Sequence, residues 1–357
     1  MSLFLKRARH ISRARSIAGL AHVETPLIYS EPFSKHLGAE AQLFSGALFP
    51  SFFGGCPTKN GLPPKKTEEV YLKLDLLQPS GSFKLRGIGQ TVKEAAEAGA
   101  KCIVSSSGGN AGLAAAYAAR SFALPCTVVL PSSTPQSVQQ RLAFYGAEVL
   151  VHGDVWDEAD RRARVVVQEQ KGAYVHPFDQ PSTWKGHATL VEELKRQMPA
   201  EPDAIVTCVG GGGLLMGILQ GVEAVGWQCP VIACETLGAS CLHSSLQAQE
   251  LVTLPAITSI AKSLGALRPS KAVFEKCRQL GADQFQSLVY SDQQALKACL
   301  SLADEHRLLV EPACGAALCA VTQRAEALQG ATRVVVELCG GAVVTSAQLA
   351  EWARHHS

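Results

Sequence analysis

Several common features are missing from this sequence, and each absence closes off a class of protein. No uninterrupted apolar run approaches the ~20 residues of a membrane-spanning helix; Val128–Pro131 and Val334–Val336 are strand-sized. The chain has twelve cysteines but no C-x-x-C pair, so neither a disulfide framework nor a zinc site is indicated. Reduced thiols in an intracellular compartment are expected instead. Charge is nearly balanced at +2, which argues against nucleic acid or an anionic membrane as partner. Hydrophobic residues make up 47% and charged residues only 18%, the balance of a folded globular protein. No fixed-period repeat is visible. A GxxxxGK[ST] phosphate loop is absent, and so is a full GxGxxG fingerprint. Gly211, Gly213 and Gly217 come near the latter, with Glu235 close to its acidic position, so a nicotinamide-dependent oxidoreductase is the remote alternative.

Two stretches lack acid altogether. From Met1 to Val23 the charges are all basic: Lys6, Arg7, Arg9, Arg13 and Arg15. Mitochondrial presequences have this composition, yet at helical spacing the five charges spread around most of the wheel. An unstructured basic tail over 1–21 on a cytoplasmic protein is the expectation, with a mitochondrial location as its alternative. Residues 41–67 carry four phenylalanines, the Gly54-Gly55 pair and four prolines. A loop of that length inside a compact domain reads as an insertion.

Between and beyond these, short β-branched runs alternate with helical spacing. The runs are Val70–Leu74, Cys102–Val104, Thr127–Leu130, Val149–Val151, Ala204–Val209, Val231–Cys234 and Arg333–Leu338. Helices are predicted over 83–98, 111–121, 135–145, 155–171, 183–197, 214–225 and 291–305. Such alternation predicts an α/β protein with open, twisted parallel sheets covered by helices on both faces. At 357 residues the chain exceeds the usual single domain, so two lobes are expected.

Three glycine turns follow strands: Ser105–Gly112 (SSSGGNAG), Gly210–Gly213 (GGGG) and Cys339–Gly341 (CGG). Glycine lets the backbone approach a ligand and turn its N–H groups towards one point, and a helix N-terminus favours an anion. In an open α/β sheet ligands settle beyond the carboxyl ends of the strands, where all three turns lie. A phosphate on Gly210–Gly213 and a carboxylate on Ser107–Ala111 could share one site. Taken singly, each run is equally well a tight turn.

Lys84 stands between Phe83 and Leu85 where a helix begins, with Ser80 or Ser82 as the expected cap. Burial and a helix N-terminus both disfavour the ammonium form, and an amine is a nucleophile only when neutral. That placement suits a lysine that forms a Schiff base with a carbonyl. An aldehyde, a phosphate and a lysine together suggest pyridoxal 5'-phosphate.

The motifs PSGSFKLRG, SSSGGNAG, VGGGGLL, CETLGA and VEPACGAA, in this order, resemble the fold-type II pyridoxal-phosphate enzymes, and within them the serine/threonine dehydratase group. The similarity runs from about His22 to the C-terminus, interrupted at 41–67. It implies a large cofactor domain (22–75 and 182–357) and a small domain (76–181), with the site between them. It also implies a homodimer and an amino-acid substrate. Lys84 would hold the cofactor and serve as the catalytic base, Phe83 would lie near its ring, and Asn110 would contact the ring hydroxyl. Gly210, Gly211, Gly212, Gly213 and Leu214 would bind the phosphate, and Cys339 would face the ring nitrogen as a neutral thiol. Ser107, Gly108, Gly109, Asn110 and Ala111 would bind the substrate carboxylate. Gly108 stands where related serine racemases carry a serine; it cannot carry a proton, so racemisation should be poor. A racemase-type or catalytically weak cofactor-binding relative is the alternative. The family also implies a cation, K⁺ or Mg²⁺, near Glu235, Ala239, Cys241, Leu264 and Ala266. Val343 departs from an asparagine common among relatives, which puts the wall beside the ring nitrogen in question.

Other chemistry-bearing residues carry no partner pattern. His152, His176, His187 and His243 are isolated. Glu192-Glu193 and Asp157–Asp160 read as solvated helix faces, and Cys314 and Cys319 as core.

Overall fold

The computed structural model describes residues 19–38 and 68–355. The expected insertion at 41–67 and all but the end of the basic tail lie outside the described residues. In chain order the elements that matter begin with β1 (Leu27–Tyr29), α1 (Glu31–Gly38) and β2 (Glu69–Lys73). Then come α2 (Lys84–Glu97), β3 (Ile103–Ser105), α3 (Asn110–Ser121), β4 (Cys126–Leu130) and α4 (Gln136–Phe144). They are followed by β5 (Glu148–Val151), α5 (Trp156–Gln170), β6 (Ala173–Tyr174), α6 (Pro181–Gln197), β7 (Ala204–Cys208) and α7 (Gly213–Ala224). The last part holds β8 (Val231–Thr236), α8 (Cys241–Ala248), α9 (Lys271–Gln279), β9 (Phe285–Tyr290), α10 (Asp292–His306), α11 (Pro312–Thr322), β10 (Arg333–Glu337) and α12 (Ser346–His355).

Two sheets form. A six-stranded sheet runs β1-β2-β10-β7-β8-β9, and a four-stranded one runs β5-β4-β3-β6. All pairings are parallel except β1 with β2, an antiparallel edge. Central strands β4, β7 and β8 are buried at every residue, because helices cover both faces. The strand–helix alternation therefore reads true, and each of the seven predicted strands and helices has its counterpart within a few residues. Strands β1, β6 and β9 and helices α1, α8, α9, α11 and α12 went unforeseen. In α11 ten of eleven residues are buried, so no polar face marks its period.

Each of two predicted surface clusters has one acid in the interior, Glu193 and Asp160, while Glu192 and Asp157 are exposed as expected. Glu193 is buried at the centre of a four-charge cluster, not solvated like Glu192. Arg86 grips Asp75 through Nε (2.6 Å) and Nη2 (2.7 Å), and Glu193 through Nη1 (2.5 Å) and Nη2 (2.7 Å). Lys73 Nζ donates to Glu193 at 2.6 Å and to the Thr25 carbonyl at 2.7 Å. Every ion is paired and hydrogen-bonded, the condition under which buried charge is tolerated. Arg86 follows Lys84 by two residues, so this cluster fixes the first turn of α2 against β2 and α6. Asp160 is likewise buried, accepting from Ser106 Oγ at 2.7 Å and from the Tyr174 hydroxyl. It holds the residue before Ser107 in place.

Candidate active site

Lys84 is the first residue of α2, and neither Ser80 nor Ser82 caps that helix. The segment before it pairs instead with the end of β10: Ser82 bridges Gly340, and Phe83 N donates to the Cys339 carbonyl at 3.0 Å. Backbone pairing has taken over the work expected of a serine side chain. Lys84 Nζ donates to the Pro177 carbonyl at 2.7 Å, and burial lowers the amine to about 8. The Phe83 ring lies 5.1 Å from that ammonium and 5.1 Å from the ring of His187.

A cleft of about 890 Å³ opens in front of Lys84, bordered by both sheets' carboxyl-end loops. Gly210–Leu214 and Ser107–Ala111 line it, together with Phe83, Cys339, Leu264 and Ala266. The two glycine turns do meet. Among the described residues, the N–H groups of Gly210–Gly213 have no acceptor, nor do those of Gly108, Asn110 and Ala111. Each set stands at a helix N-terminus, of α7 and α3, so each is an anion site left open towards the cleft. The glycines are required by space: a Cβ on Gly211 would come within 2.4 Å of the Phe178 ring, and Gly212 holds φ +97°. A phosphate on one turn, a carboxylate on the other and an aldehyde at Lys84 fit this donor set.

Cys339 sits at the floor with its Sγ 3.5 Å from that of Cys208. Hydrogen bonding with the Cys208 and Cys314 thiols, together with burial, holds it well above the ordinary thiol range, so it is neutral. Asn110 is fixed at both ends, accepting from Ala342 N at 2.8 Å and donating to Glu311 at 3.2 Å. Its amide group also donates, at 3.5 Å, to the Ser263 hydroxyl. Glu311 was not foreseen as a site residue. It is buried, lines the cleft, bonds the Ser263 hydroxyl and accepts from Val343 N at 3.1 Å. The wall at Val343 is thus secured by main chain, which any residue type supplies. A signal existed: an acid placed directly before the wholly apolar run of α11 has no solvent to face. His176 also lines the cleft, contrary to its reading as an isolated residue. His243 bonds Ser287 at 3.0 Å, whereas His152 is exposed.

Of the residues proposed for a cation, Cys241 and Leu264 lie against Gly210. Glu235 accepts from Leu242 N (3.0 Å) and His243 N (2.7 Å), capping α8, and burial pushes it up to about 8. Cys241 Sγ is 3.5 Å from the Gly210 carbonyl, and Leu264 packs under Gly210. No group of three or more His, Cys, Asp or Glu gathers among the described residues. A hard cation here would rely on Glu235 and main-chain carbonyls, donors that suit it.

Two twisted α/β sheets facing a cleft with a depressed lysine and two open amide cradles define an enzyme that works through a phosphorylated aldehyde. Comparison with known proteins gives the same class a name: the chain belongs to the family of pyridoxal-phosphate dependent enzymes, whose model matches residues 58–340. It is 49% identical to a human protein named serine dehydratase-like over 290 residues, 78% of this chain and 87% of that one. It is 48% identical to the L-serine dehydratase/L-threonine deaminase of Bos taurus over 290 residues, 78% and 88% of the two chains. A fungal L-serine ammonia-lyase from Rhizomucor miehei superposes with a TM-score of 0.80 at 30% identity, over 95% of this chain and 100% of that one.

Proposed function

We propose that this protein is a lyase that eliminates water from L-serine and, once the enamine so formed takes up water again, releases ammonia and pyruvate, and likewise ammonia and 2-oxobutyrate from L-threonine. The observation that carries the reading is Lys84: an amine lowered to about 8 in a cleft where two sets of amides await a phosphate and a carboxylate. The names of the human, bovine and fungal relatives support the choice of reaction and substrates.

Gly210–Gly213 would hold the cofactor phosphate on main-chain N–H groups, and the Ser107–Ala111 turn would orient the substrate carboxylate. Bound through its aldehyde, pyridoxal phosphate supplies an electron sink for the pair left when Cα loses its proton. Lys84 Nζ takes that proton; an amine near 8 is about one tenth neutral at pH 7, against roughly 0.03% for an ordinary lysine, which makes it available as a general base. The neutral Cys339 thiol places no charge at the floor. Gly108 offers no second proton carrier, which favours elimination over racemisation. The released enamine hydrolyses to keto acid and ammonia.

The same reading includes a K⁺ or Mg²⁺ ion at Glu235 and a cytoplasmic homodimer. The eleven described cysteines, all free, suit a reducing compartment. Light scattering would check the dimer, and imaging of a tagged chain its location. Purified protein should show visible cofactor absorption and form keto acid from L-serine. Lys84→Ala should lower turnover at least ~10³-fold and abolish covalent cofactor retention; retained turnover would sink the mechanism. Repeating the assay after chelation, with K⁺ or Mg²⁺ restored singly, tests the ion.

A further inference from the structure

His176 lies in the turn between β6 and α6, beside the carbonyl of Pro177 that receives Lys84 Nζ at 2.7 Å. Its ring is clamped. Nδ1 accepts from Asp179 N at 2.8 Å and from Phe178 N at 3.3 Å, and the backbone N–H of His176 donates to Gln180 Oε1 at 2.8 Å. The ring also rests edge-on against Phe178, with centroids 4.7 Å apart. A ring nitrogen that accepts N–H groups carries no hydrogen, so the proton is on Nε2. Burial lowers the imidazole pKa further, which keeps the ring neutral. Nε2 has no partner among the described residues, and the residue lines the cleft.

One oriented, neutral N–H therefore faces the cleft beside the amine that does the chemistry. The substrate carboxylate has the Ser107–Ala111 amides, and its amino group goes to the cofactor aldehyde. What remains with lone pairs is the β-oxygen. Resting on the lyase reading above, we propose that His176 Nε2 donates a hydrogen bond to the β-hydroxyl oxygen of the bound amino acid, and so selects β-hydroxy substrates. No proton is transferred: a neutral imidazole keeps its N–H, and the ring orients the leaving group without acting as its acid.

Two variants separate this role from packing. His176→Asn keeps an acceptor for the Asp179 amide but is too short to reach the substrate; His176→Gln places an amide N–H near the position of Nε2. The expected result for His176→Asn is a tenfold or greater loss of kcat/KM on L-serine, with at most a twofold change on β-chloro-L-alanine, whose leaving group is a poor acceptor. His176→Gln should recover at least part of the serine loss. Equal losses on both substrates, or no loss on serine, would overturn the proposal. A second readout needs no turnover: ¹⁵N–¹H NMR of the holoenzyme should show a protonated Nε2. That signal should shift with α-methyl-L-serine, which has no Cα proton to lose, and stay put with 2-aminoisobutyrate, which has no hydroxyl. An identical response to both ligands would also overturn it. Failure of the wild type to make pyruvate would instead strike the lyase reading, and the NMR comparison would still report on His176.

Discussion

The Gly210–Gly213 turn and the charge cluster behind Lys84 solve opposite problems a short distance apart. In the turn, consecutive N–H groups are left without acceptors and side chains are stripped away, so that a ligand can complete it. In the cluster, Arg86, Asp75, Glu193 and Lys73 satisfy one another and nothing is left to bind. Unmet hydrogen-bonding capacity marks where the molecule acts; saturated capacity marks what keeps the acting groups still.

Removing one member of the saturated region should have the largest effect. Glu193→Ala strands Lys73 and Arg86 with a single carboxylate, and should cost about 3–5 kcal/mol, a large part of a typical domain's stability. Its exposed neighbour gives the contrast: Glu192→Ala should stay within about 0.5 kcal/mol. Urea denaturation of both would show it, and equal effects would erase the distinction between the two regions.

In the open region the effect should fall on binding first. Gly211→Ala drives a methyl group to 2.4 Å from the Phe178 ring and shifts the amides. Overpacking of this kind costs roughly 1–3 kcal/mol, so the cofactor-free protein should still fold. Its affinity for pyridoxal phosphate, followed by equilibrium dialysis, should drop at least about tenfold. An unchanged affinity would mean that the turn is only a turn.

The smallest effect is a titration. With Lys84 near 8, about half its amine is neutral at pH 8, against roughly 0.3% for an ordinary lysine. Capture of pyridoxal phosphate by the cofactor-free protein should therefore rise through a midpoint near pH 8. The stability sign follows. Below pH 8 folded and unfolded states are both protonated, and the cost of burying the ammonium is fully present. It is relieved as pH climbs from about 8 to the 10.5 of an unfolded lysine. A midpoint near 10 would place the amine in water.

This contrast also explains what could be read in advance. The open region is written locally: glycine runs after β-branched strands, and a lysine between bulky neighbours, announce backbone geometry within a few residues. The parallel sheets follow from the same local alternation. The saturated region is written at long range. Glu193 looks like Glu192 until α6 is placed against β2 and α2, and Asp160 looks solvated until Ser106 and Tyr174 arrive from other strands. His176 and Glu311 were missed for the same reason, since what makes each of them part of the site is the company of distant segments.

Phe178 shows how little room this leaves for change. Its ring fills the space that Gly211 keeps free and its backbone the space at Gly213, its carbonyl takes the Trp184 indole at 2.8 Å, and its amide helps orient His176. Over evolutionary time the two main-chain duties survive a change of side chain, whereas a change of ring reshapes the space against Gly211 and so acts on the turn directly. Drift that retunes the enzyme towards other amino acids has its freest ground across the cleft, at Thr134 and Val138.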